Sequence, residues 1–504
     1  MSDKVNEFEQ GEDAPVADVK TFQQTYKPDA NFSYRVNSAD EILSDTKKLE
    51  ALIQDHYMNQ CPRLQALDNY IKARNEDIYQ DDSRRVEEGK ADHRAAHNFA
   101  KVINVFDVGY NTGVPIKKKS QNDKITEIIA DYDKVNDIEG LESELWRDVS
   151  KYGRAYELQY RDQQDVDHSV ISNVFETFVV YSLSVDRRPL FAVRYPIYRI
   201  GAVENTTVTV YTDTDVITYL PCGINMLNLV EDKREHHCWG EVPITEYQSD
   251  RYRQGAYEDV ISLIDLYDAA QSDTANYMTD LNEATMVISG DIDLAKYSVK
   301  DFIDMKKSNM LLLANGVNPD GSKSQTSADY IYKQYDVNGT EAYKERLAND
   351  IHKISFVPDL TDSAFSGSQT GEAMKYKLFG FQQYSAARQR SFKKGLIRRY
   401  RLLLNIKKAV QEADNVDLDN LTITFTPNLP KAILDELSAL TSAGTEISQE
   451  TLLSLASFVD DVQAELDRIK KEQQENMDRL NGDGYEFDHN DSSEGGDTRD
   501  EEDE

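Results

Sequence analysis

The stretch FSGSQTGEAMKYKLFGF, residues 365–381, joins a glycine- and serine-rich loop to the start of a long helical segment. Such a loop can direct backbone N–H groups, and the positive end of a helix dipole, at an anion. A nucleotide-binding P-loop, however, needs a lysine directly after its last glycine and then a serine or threonine. Here Gly371 is followed by Glu372 and Ala373. The sequence therefore argues against a nucleotide site and leaves the purpose of the loop open.

The segment after this loop is strongly basic. Between Ala373 and Gln411 the chain carries eleven lysines and arginines and no acidic residue. We expect one long helix over 372–412, with kinks at Gly380 and Gly395, because a mid-helix glycine costs ~1 kcal/mol relative to alanine and permits a bend. The basic residues that we single out are Lys375, Lys377, Arg388, Arg390, Lys393, Lys394, Arg398 and Arg399.

Two helices that precede the loop enclose a small insert. The first is predicted over 255–286, where an apolar stripe runs from Tyr257 to Tyr267. The insert, 287–336, has short α and β patterns, and the second helix returns over 337–356. The first helix also carries acidic residues within roughly an 80° arc, which by itself is typical of a solvated face. These residues are Glu258, Asp265, Asp273, Asp280 and Glu283.

The rest of the pattern predicts an α+β protein that is mostly helical. Helical periodicity covers 39–82, 98–111 and 124–152, and a period of two with many β-branched and aromatic residues covers 156–247. The second pattern predicts an antiparallel β region. After the basic helix we expect a strand within 413–429 and two helices within 430–480.

Charge is the strongest feature of the composition. The formal net charge is −34, and residues 481–504 contain eleven acidic residues against Arg499 alone. This acidic tail, and the polar arm 1–38, bury too little apolar surface to fold by themselves. A broad basic surface that grips nucleic acid is excluded for so acidic a chain, since that mode needs many lysines and arginines on phosphates. The protein could still surround DNA without gripping it.

No enzymatic or metal-binding signature is present in the sequence. His93 and His97 are spaced as in HExxH zinc sites, and we place them on one helical turn, but Arg94 stands where the general base would be. Cys61, Cys222 and Cys238 are an odd number without CxxC spacing, which favours reduced thiols. No run approaches the ~18 apolar residues needed to cross a bilayer. We therefore expect no cofactor, no metal, no membrane partner and no catalytic activity.

The order of these elements resembles the portal proteins of tailed double-stranded DNA bacteriophages, in particular those of long-tailed phages of Gram-positive bacteria. The resemblance extends over about residues 40–480. Its marks are NFAKVINVFDVGYNTGVP, KYGRAYELQY, WGEVPITEY, DVISLIDLYDAAQSD and FVPDLTDSAFSGSQTGEAMKYKL, which are specific together and in this order.

The resemblance implies a ring, usually of about twelve subunits, around an axial channel at one capsid vertex. It implies a wing over 39–254, 372–412 and 413–429, stem helices over 255–286 and 337–356, a clip over 287–336 and a crown over 430–480. Residues 357–371 would be a loop that projects into the channel. Its residues are Val357, Asp359, Asp362, Ser363, Phe365, Ser366, Gly367, Ser368, Gln369, Thr370 and Gly371.

The implied partners are further copies of the chain, double-stranded DNA bound without sequence specificity, the terminase large subunit, a head-completion or adaptor protein, and the scaffolding and major capsid proteins. The protein would be assembled in the host cytoplasm and end in the virion. A capsid or scaffold-type assembly protein without a DNA channel is the alternative. It would share the acidity and helical content but would not need this series of helix, insert, helix, loop and long helix.

A DNA channel also gives the charges a role. It must pass a polyanion without holding it, so the stem acids would face the channel and repel phosphate. The charges of the basic helix would either pair with acidic neighbours across subunit interfaces or face DNA. We favour the first, because the acidic excess elsewhere in the chain needs partners.

Overall fold

The structure is a computed structural model of the chain. It describes residues 27, 29–80, 91–201, 203–223, 225–281, 285–290, 298–308, 310–314, 327–331, 336–359, 371–412, 421–428, 448–449, 451, 453 and 462–482. The chain divides into two units, Met1–Asn428 and Leu429–Glu504. Among the described residues, no helix combines the length and apolar character needed to cross a membrane.

The helices of the first unit largely follow the predicted pattern. A π-helical turn, His56–Gln60, links α2 to α3, and a 3-10 turn, Glu258–Val260, precedes α8. The described helices are α1 (Asp40–Leu43), α2 (Thr46–Asp55), α3 (Cys61–Ile71), α4 (Glu76–Gln80), α5 (Phe99–Thr112), α6 (Asp123–Val135), α7 (Ile138–Tyr152), α8 (Ile261–Leu281), α9 (Val299–Lys307), α10 (Val337–Ile354) and α11 (Gly371–Ala409). In the second unit the structure describes α12 (Val462–Gly482).

Side-chain caps explain several helix starts. Asp45, Asn98 and Asn122 each precede a helix, and each side chain accepts a hydrogen bond from a first-turn backbone N–H. Such a cap satisfies one of the donors that a helix start leaves unpaired. Asp336 does the same for α10 through the N–H of Gly339.

The β region predicted over 156–247 is confirmed, because the described pairings between its own strands are all antiparallel. Its main sheet has the order β1-β5-β6-β9-β10-β12, and two three-stranded sheets, β11-β8-β7 and β13-β3-β4, accompany it. The strands are β1 (Tyr34–Val36), β2 (Lys117–Lys119), β3 (Arg154–Arg161), β4 (Asp167–Ser172), β5 (Thr177–Ser182), β6 (Pro189–Arg194), β7 (Ile197–Ile200), β8 (Val203–Thr206), β9 (Thr209–Tyr211), β10 (Asp215–Tyr219), β11 (Cys222–Gly223), β12 (Glu231–His236) and β13 (Ile244–Gln248).

Two strand pairings lie outside the sequence prediction. Strand β1 belongs to the predicted arm 1–38, yet it pairs in parallel with β5, so the end of that arm is part of the main sheet. The strand predicted within 413–429 is β17 (Thr422–Thr424), which pairs with β2, more than 300 residues earlier in the chain. Periodicity shows that a segment is a strand but not which distant strand it joins.

Helices α8 and α10 pack against each other, and a small sheet lies between them in the chain. The sheet consists of β14 (Thr285–Gly290), β15 (Met310–Ala314) and β16 (Ser327–Ile331), in the order β15-β14-β16. The first pair is parallel and the second antiparallel. The helix–insert–helix series predicted from the sequence therefore has a short α/β insert, with α9 as its described helix.

Aromatic and aliphatic side chains from both halves of the first unit form a shared core. Trp146 of α7 and Phe392 of α11 have ring centroids 4.9 Å apart, and Tyr247 of β13 lies 4.7 Å from Phe392. All three rings are buried. Burial of each large side chain contributes about 1.5–3 kcal/mol. The core therefore ties α11 to helices and strands that precede it by up to 250 residues.

A buried charge network crosses this core. Arg399 of α11 donates through Nη1 to Glu142 of α7 at 2.6 Å, and through Nε to both oxygens of Glu157 of β3 at 2.7 and 3.0 Å. Lys118 of β2 pairs with Glu142 at 3.0 Å, and the Tyr247 hydroxyl donates to Glu157. All five side chains are almost completely enclosed. The network thus connects α7, β2, β3 and β13 to α11.

Gly395 allows α11 to approach β13 closely. A Cβ at this position would overlap ring carbons of Tyr247, whereas a Cβ at Gly380 would lie 3.3 Å from the exposed Phe356 ring. The helix is continuous from Gly371 to Ala409 through both glycines. Close packing against Tyr247 therefore explains why residue 395 is a glycine. A kink of the helix at Gly380 or Gly395 stays a prediction.

Replacing Arg399 by methionine should lower the free energy of unfolding by about 3–5 kcal/mol, because it leaves the buried Glu157 without a cation and Glu142 with Lys118 alone. The matched control is Arg401→Met in the same helix, where the side chain is 53% exposed and 3.9 Å from Glu241. That change should stay within about 0.5 kcal/mol. Denaturant midpoints at one protein concentration measure both effects. Equal midpoints for the two variants would contradict the role given to Arg399.

Gly395→Ala should destabilise the protein although alanine is the better helix former. Overpacking against Tyr247 costs about 1–3 kcal/mol, against a propensity gain of ~1 kcal/mol. Gly380→Ala, made in the same helix at an exposed position, should be neutral or slightly stabilising. Thermal unfolding followed by circular dichroism compares the two. A Gly395→Ala protein that melts at or above the wild-type temperature would refute the packing explanation.

Candidate functional site

The first of the five predicted channel acids is buried inside the subunit. Glu258, in the 3-10 turn before α8, pairs with Arg63 of α3 at 2.5 Å, and the two side chains are 4% and 1% exposed. Its Oε1 also accepts the backbone N–H of Gly255 at 2.7 Å. This carboxylate connects the start of α8 to α3. The prediction that Glu258 faces the channel is therefore wrong.

Asp265 is enclosed in the same interface. The Tyr70 hydroxyl of α3 donates to its carboxyl group at 2.5 Å. Burial, reinforced by the carboxylates of Asp77 and Asp268, raises the pKa of Asp265 to about 8. A carboxyl group with this pKa is largely protonated at pH 7 and carries little charge. The prediction of a channel-facing charge is also wrong for Asp265.

The polar face of α8 holds a segment that the sequence placed in a helix. Asp268, Ser272 and Asn276 are one turn apart, and they accept hydrogen bonds from the backbone N–H groups of His97, Ala95 and His93 at 2.8, 2.9 and 2.6 Å. Residues 91–98 are not helical. The donors descend from residue 97 to 93 while the acceptors ascend from 268 to 276. The segment therefore runs antiparallel to α8 along its surface.

The two histidines of this segment bind protein groups. The His97 ring lies 2.8 Å from the carboxylate of Asp268 through Nδ1, and the His93 ring lies 2.9 Å from the Thr279 hydroxyl. The placement of both imidazoles on one helical turn was therefore wrong. Among the described residues, no cluster of three or more histidine, cysteine or acidic side chains could hold a metal ion. The three cysteines are not in disulfides.

The remaining predicted acids are partly described. Asp273 of α8 is exposed, whereas the side chain of Asp280 and all of Glu283 lie outside the described residues. On the neighbouring α10, Glu341 and Glu345 are exposed as well. Among the described side chains of the two helices, the exposed acids are therefore Asp273, Glu341 and Glu345. The last two were missed because α10 lacks a continuous acidic stripe.

The structure describes both ends of the predicted channel loop. Val357 is 1% exposed, and its carbonyl oxygen lies 3.1 Å from Nδ1 of His352 in α10. Asp359 is half-buried, and Gly371 begins α11. The other predicted loop residues lie outside the described part of the chain. They are Asp362, Ser363, Phe365, Ser366, Gly367, Ser368, Gln369 and Thr370.

Contacts near Val357 fix the direction in which the chain leaves α10. Phe356 adopts a positive φ of 60° and stacks on Tyr384 of α11 with the ring centroids 5.7 Å apart. A positive φ is unfavourable for a bulky side chain, so surrounding contacts must hold it. The end of α10 and the middle of α11 are thereby joined at the base of the loop.

Several charges of the basic helix are satisfied inside the same chain. Arg388 pairs with the buried Asp107 of α5 and lies over the rings of Trp146 and Tyr384 at 5.6 and 5.2 Å. Arg398 donates to the Glu241 carboxylate and to the Val242 carbonyl, both at 2.7 Å. Arg388, Arg398 and Arg399 each pair with a carboxylate of their own chain. Pairing across subunit interfaces is wrong for Arg388, Arg398 and Arg399.

The other predicted basic residues have no such role in the described structure. Arg390 and Lys394 are exposed one helical turn apart, and Lys393 is half-buried. The side chains of Lys375 and Lys377 lie outside the described residues. Sequence reasoning missed the acidic partners Asp107, Glu142 and Glu157, because each lies more than 200 residues before α11 and periodicity does not connect distant segments.

The comparisons with known proteins agree on one family. The model of the family described as "Phage portal protein, SPP1 Gp6-like" matches residues 50–479. The chain is 24% identical over 480 residues to the portal protein of Bacillus phage SPP1, covering 91% of this chain and 92% of that protein. It is 22% identical over 218 residues to the portal protein of Clostridium phage phiCD119, and this match covers 39% of this chain and 47% of that protein.

Two solved structures are also similar. One is titled "Neck of empty GTA particle computed with C6 symmetry", with 11% identity, a TM-score of 0.40, and coverage of 71% of this chain and 90% of that one. The other is titled "Virion of native gene transfer agent (GTA) particle". It has 12% identity and a TM-score of 0.38, and the match covers 71% of this chain and 89% of that one. Superposition at these scores carries no weight for the assignment.

The chain belongs to the SPP1 Gp6-like family of phage portal proteins, because that family's model spans most of its length. Proteins of this family are components of the phage virion.

Asp265→Asn should stabilise the protein increasingly as the pH rises from about 4 to about 8. The Asp265 carboxyl group loses its proton near pH 4 in the unfolded protein and near pH 8 in the folded protein. The free energy of unfolding of the wild type therefore falls as the pH rises between these values, by at most roughly 1.4 kcal/mol per unit of difference between the two pKa values. The amide oxygen of the substituted side chain can still accept the hydrogen bond from the Tyr70 hydroxyl. Melting temperatures across this pH range measure the difference.

The exposed Asp273 of the same helix provides the control. Asp273→Asn should change the melting temperature little and by a similar amount at every pH. If the advantage of Asp265→Asn over wild type were the same at pH 4 and pH 8, Asp265 would be an ordinary charged carboxylate.

Proposed function

We propose that this chain assembles into a closed ring, of about twelve subunits as is usual in the family, at one vertex of the capsid. Double-stranded DNA passes through the axial channel of this ring when it is packaged and when it is ejected. The observation that carries the proposal is the match of the portal family model to residues 50–479. The series α8, small sheet, α10, loop and α11 supports it.

The parts of the subunit have separate tasks in this proposal. Helices α8 and α10 form the stem, and the sheet of β14, β15 and β16 forms the clip, which meets the terminase large subunit and later the head-completion protein. The loop 357–371 projects into the channel. The β region, the helices before it, α11 and β17 form the wing. Residues 430–480 form the crown, which faces the capsid interior.

The distribution of charge supports a channel that does not grip DNA. Each neutralised phosphate adds to affinity, and repetition around a ring multiplies the attraction. Arg388, Arg398 and Arg399 are engaged with carboxylates of their own subunit, so they are unavailable for phosphate. The exposed Asp273 stays a candidate for facing the channel, and the exposed Glu341 and Glu345 replace Glu258 and Asp265. Asp280 and Glu283 stay candidates as predicted.

The protein acts in this proposal as a structural component that catalyses no reaction and needs no cofactor. The ring nucleates with the scaffolding and major capsid proteins in the host cytoplasm and remains in the virion. Energy for DNA movement comes from the terminase motor. The portal supplies the passage, the docking surface and the loop that contacts passing DNA.

Electron microscopy of the purified protein tests the ring. End-on views should show closed rings of about twelve subunits with an open central hole. Monomers or open filaments that persist across salt and protein concentrations would contradict the proposal and favour a scaffold-type role.

Deletion of Ser366–Thr370 tests the loop in the same assembly. The variant should still form rings, because α10 and α11 are joined through Phe356 and Tyr384, but DNA packaging by assembled capsids should fall. The ring image is the control for folding. Undiminished packaging by intact variant rings would remove the loop from the account.

A further inference from the structure

An arginine-lined cavity lies where residues 29–35 pass the β5–β6 turn and the loop after β13. Its volume is about 700 Å³, and its wall contains four arginines and one carboxylate: Arg35, Arg187, Arg251, Arg253 and Asp29. The whole chain has a net charge of −34. So strong a local excess of positive charge is unexpected, and neither the channel nor the wing helix makes use of it.

Three of these arginines have no ion-pair partner among the described residues. Arg253 is engaged, since its Nη2 lies 2.7 Å from Glu246 and its Nη1 donates to the Phe32 carbonyl at 2.8 Å. Arg35, Arg187 and Arg251 are exposed. Within the described part of the chain, no carboxylate pairs with any of these three. Their charges therefore remain available to an anion in the cavity.

A further cation lies behind the wall. Arg154 is 0% exposed, and its Nη1 donates at 3.3 Å to Oδ1 of Asn31, which lines the cavity. Its Nε and Nη2 have no hydrogen-bond partner among the described residues. Burial, with the nearby charge of Arg253, lowers the pKa of Arg154 to about 10. Burying a guanidinium with two of its nitrogens unpaired is costly, so a negative group in the cavity would stabilise this region.

The chain itself supplies an acidic segment next to the cavity. Asp29 belongs to the wall, and the preceding stretch EFEQGEDAPVAD, residues 7–18, has five acidic residues and no basic one. The chain between Asp18 and Asp29 spans at most about 40 Å when extended. A tether of this length gives the stretch a high effective concentration at the cavity. Carboxylates and guanidinium groups also pair in a favourable bidentate geometry.

We propose that the acidic stretch Glu7–Asp18 docks in the arginine-lined cavity of its own chain. Its carboxylates pair with Arg35, Arg187 and Arg251, and the docked segment covers the edge formed by residues 29–35. The N-terminal segment thereby holds the turn between β5 and β6 against the loop after β13. The occupant is therefore an acidic peptide segment. While this segment is docked, DNA cannot bind in the cavity.

Limited proteolysis of the full-length protein tests the docking. A lysine-specific protease cleaves after Lys20, between the acidic stretch and the cavity. Cleavage should be about tenfold slower in the wild type than in the double variant Arg187→Ala/Arg251→Ala, a difference that corresponds to about 1.4 kcal/mol. Arg199→Ala is the matched control, because Arg199 is exposed and pairs with Glu204 outside the cavity. It should leave the cleavage rate unchanged.

A second variant separates docking from any damage to the folded body. Glu9→Gln/Glu12→Gln/Asp13→Asn leaves the cavity intact and should speed cleavage at Lys20 as much as the arginine variant does. Rapid cleavage in the wild type, equal to that in both variants, would overturn the proposal. Protection that persists in both variants would overturn it too, since Lys20 would then be covered by something else, such as an adjacent copy.

Discussion

Arg399 can be buried only because two glutamates reach it from different parts of the chain. Glu142 approaches from α7 and Glu157 from β3, and the Tyr247 ring lies 5.8 Å from the guanidinium. A buried charge tolerates little displacement of its partners, so these elements are held in one arrangement with α11. The groove that accepts the helix also requires Gly395. The position of α11, and therefore of the loop that leads into it, depends on this buried contact.

Local features were predictable because they depend on neighbours in sequence. The long basic helix, the helix pair with its α/β insert and the antiparallel region all follow from periodicity and turn residues. Pairings between distant segments did not follow. Strand β1 joins β5 and β17 joins β2, and short strands of three residues carry no signal for their partner. The partners of Arg388 and Arg399 were hidden for the same reason.

The acidic stripe on α8 shows where helical periodicity ceases to be informative. An arc of acids is consistent with a solvated face, a channel face or a face covered by polar groups. Arg63 and Tyr70 of α3 cover Glu258 and Asp265, and the segment 91–98 covers Asp268. Only the tertiary neighbour decides among these cases. A carboxyl group that is buried and protonated at neutral pH, such as that of Asp265, cannot repel DNA.

The central claim is that the arginines of α11 hold each wing together from within and leave the channel without a basic grip. A density map of the assembled ring at side-chain resolution tests it most directly. The account predicts that Arg388 contacts Asp107, and that Arg399 contacts Glu142 and Glu157, within one subunit and away from the axis. Arginines of this helix that pair with an adjacent subunit, or that line the channel, would contradict the account.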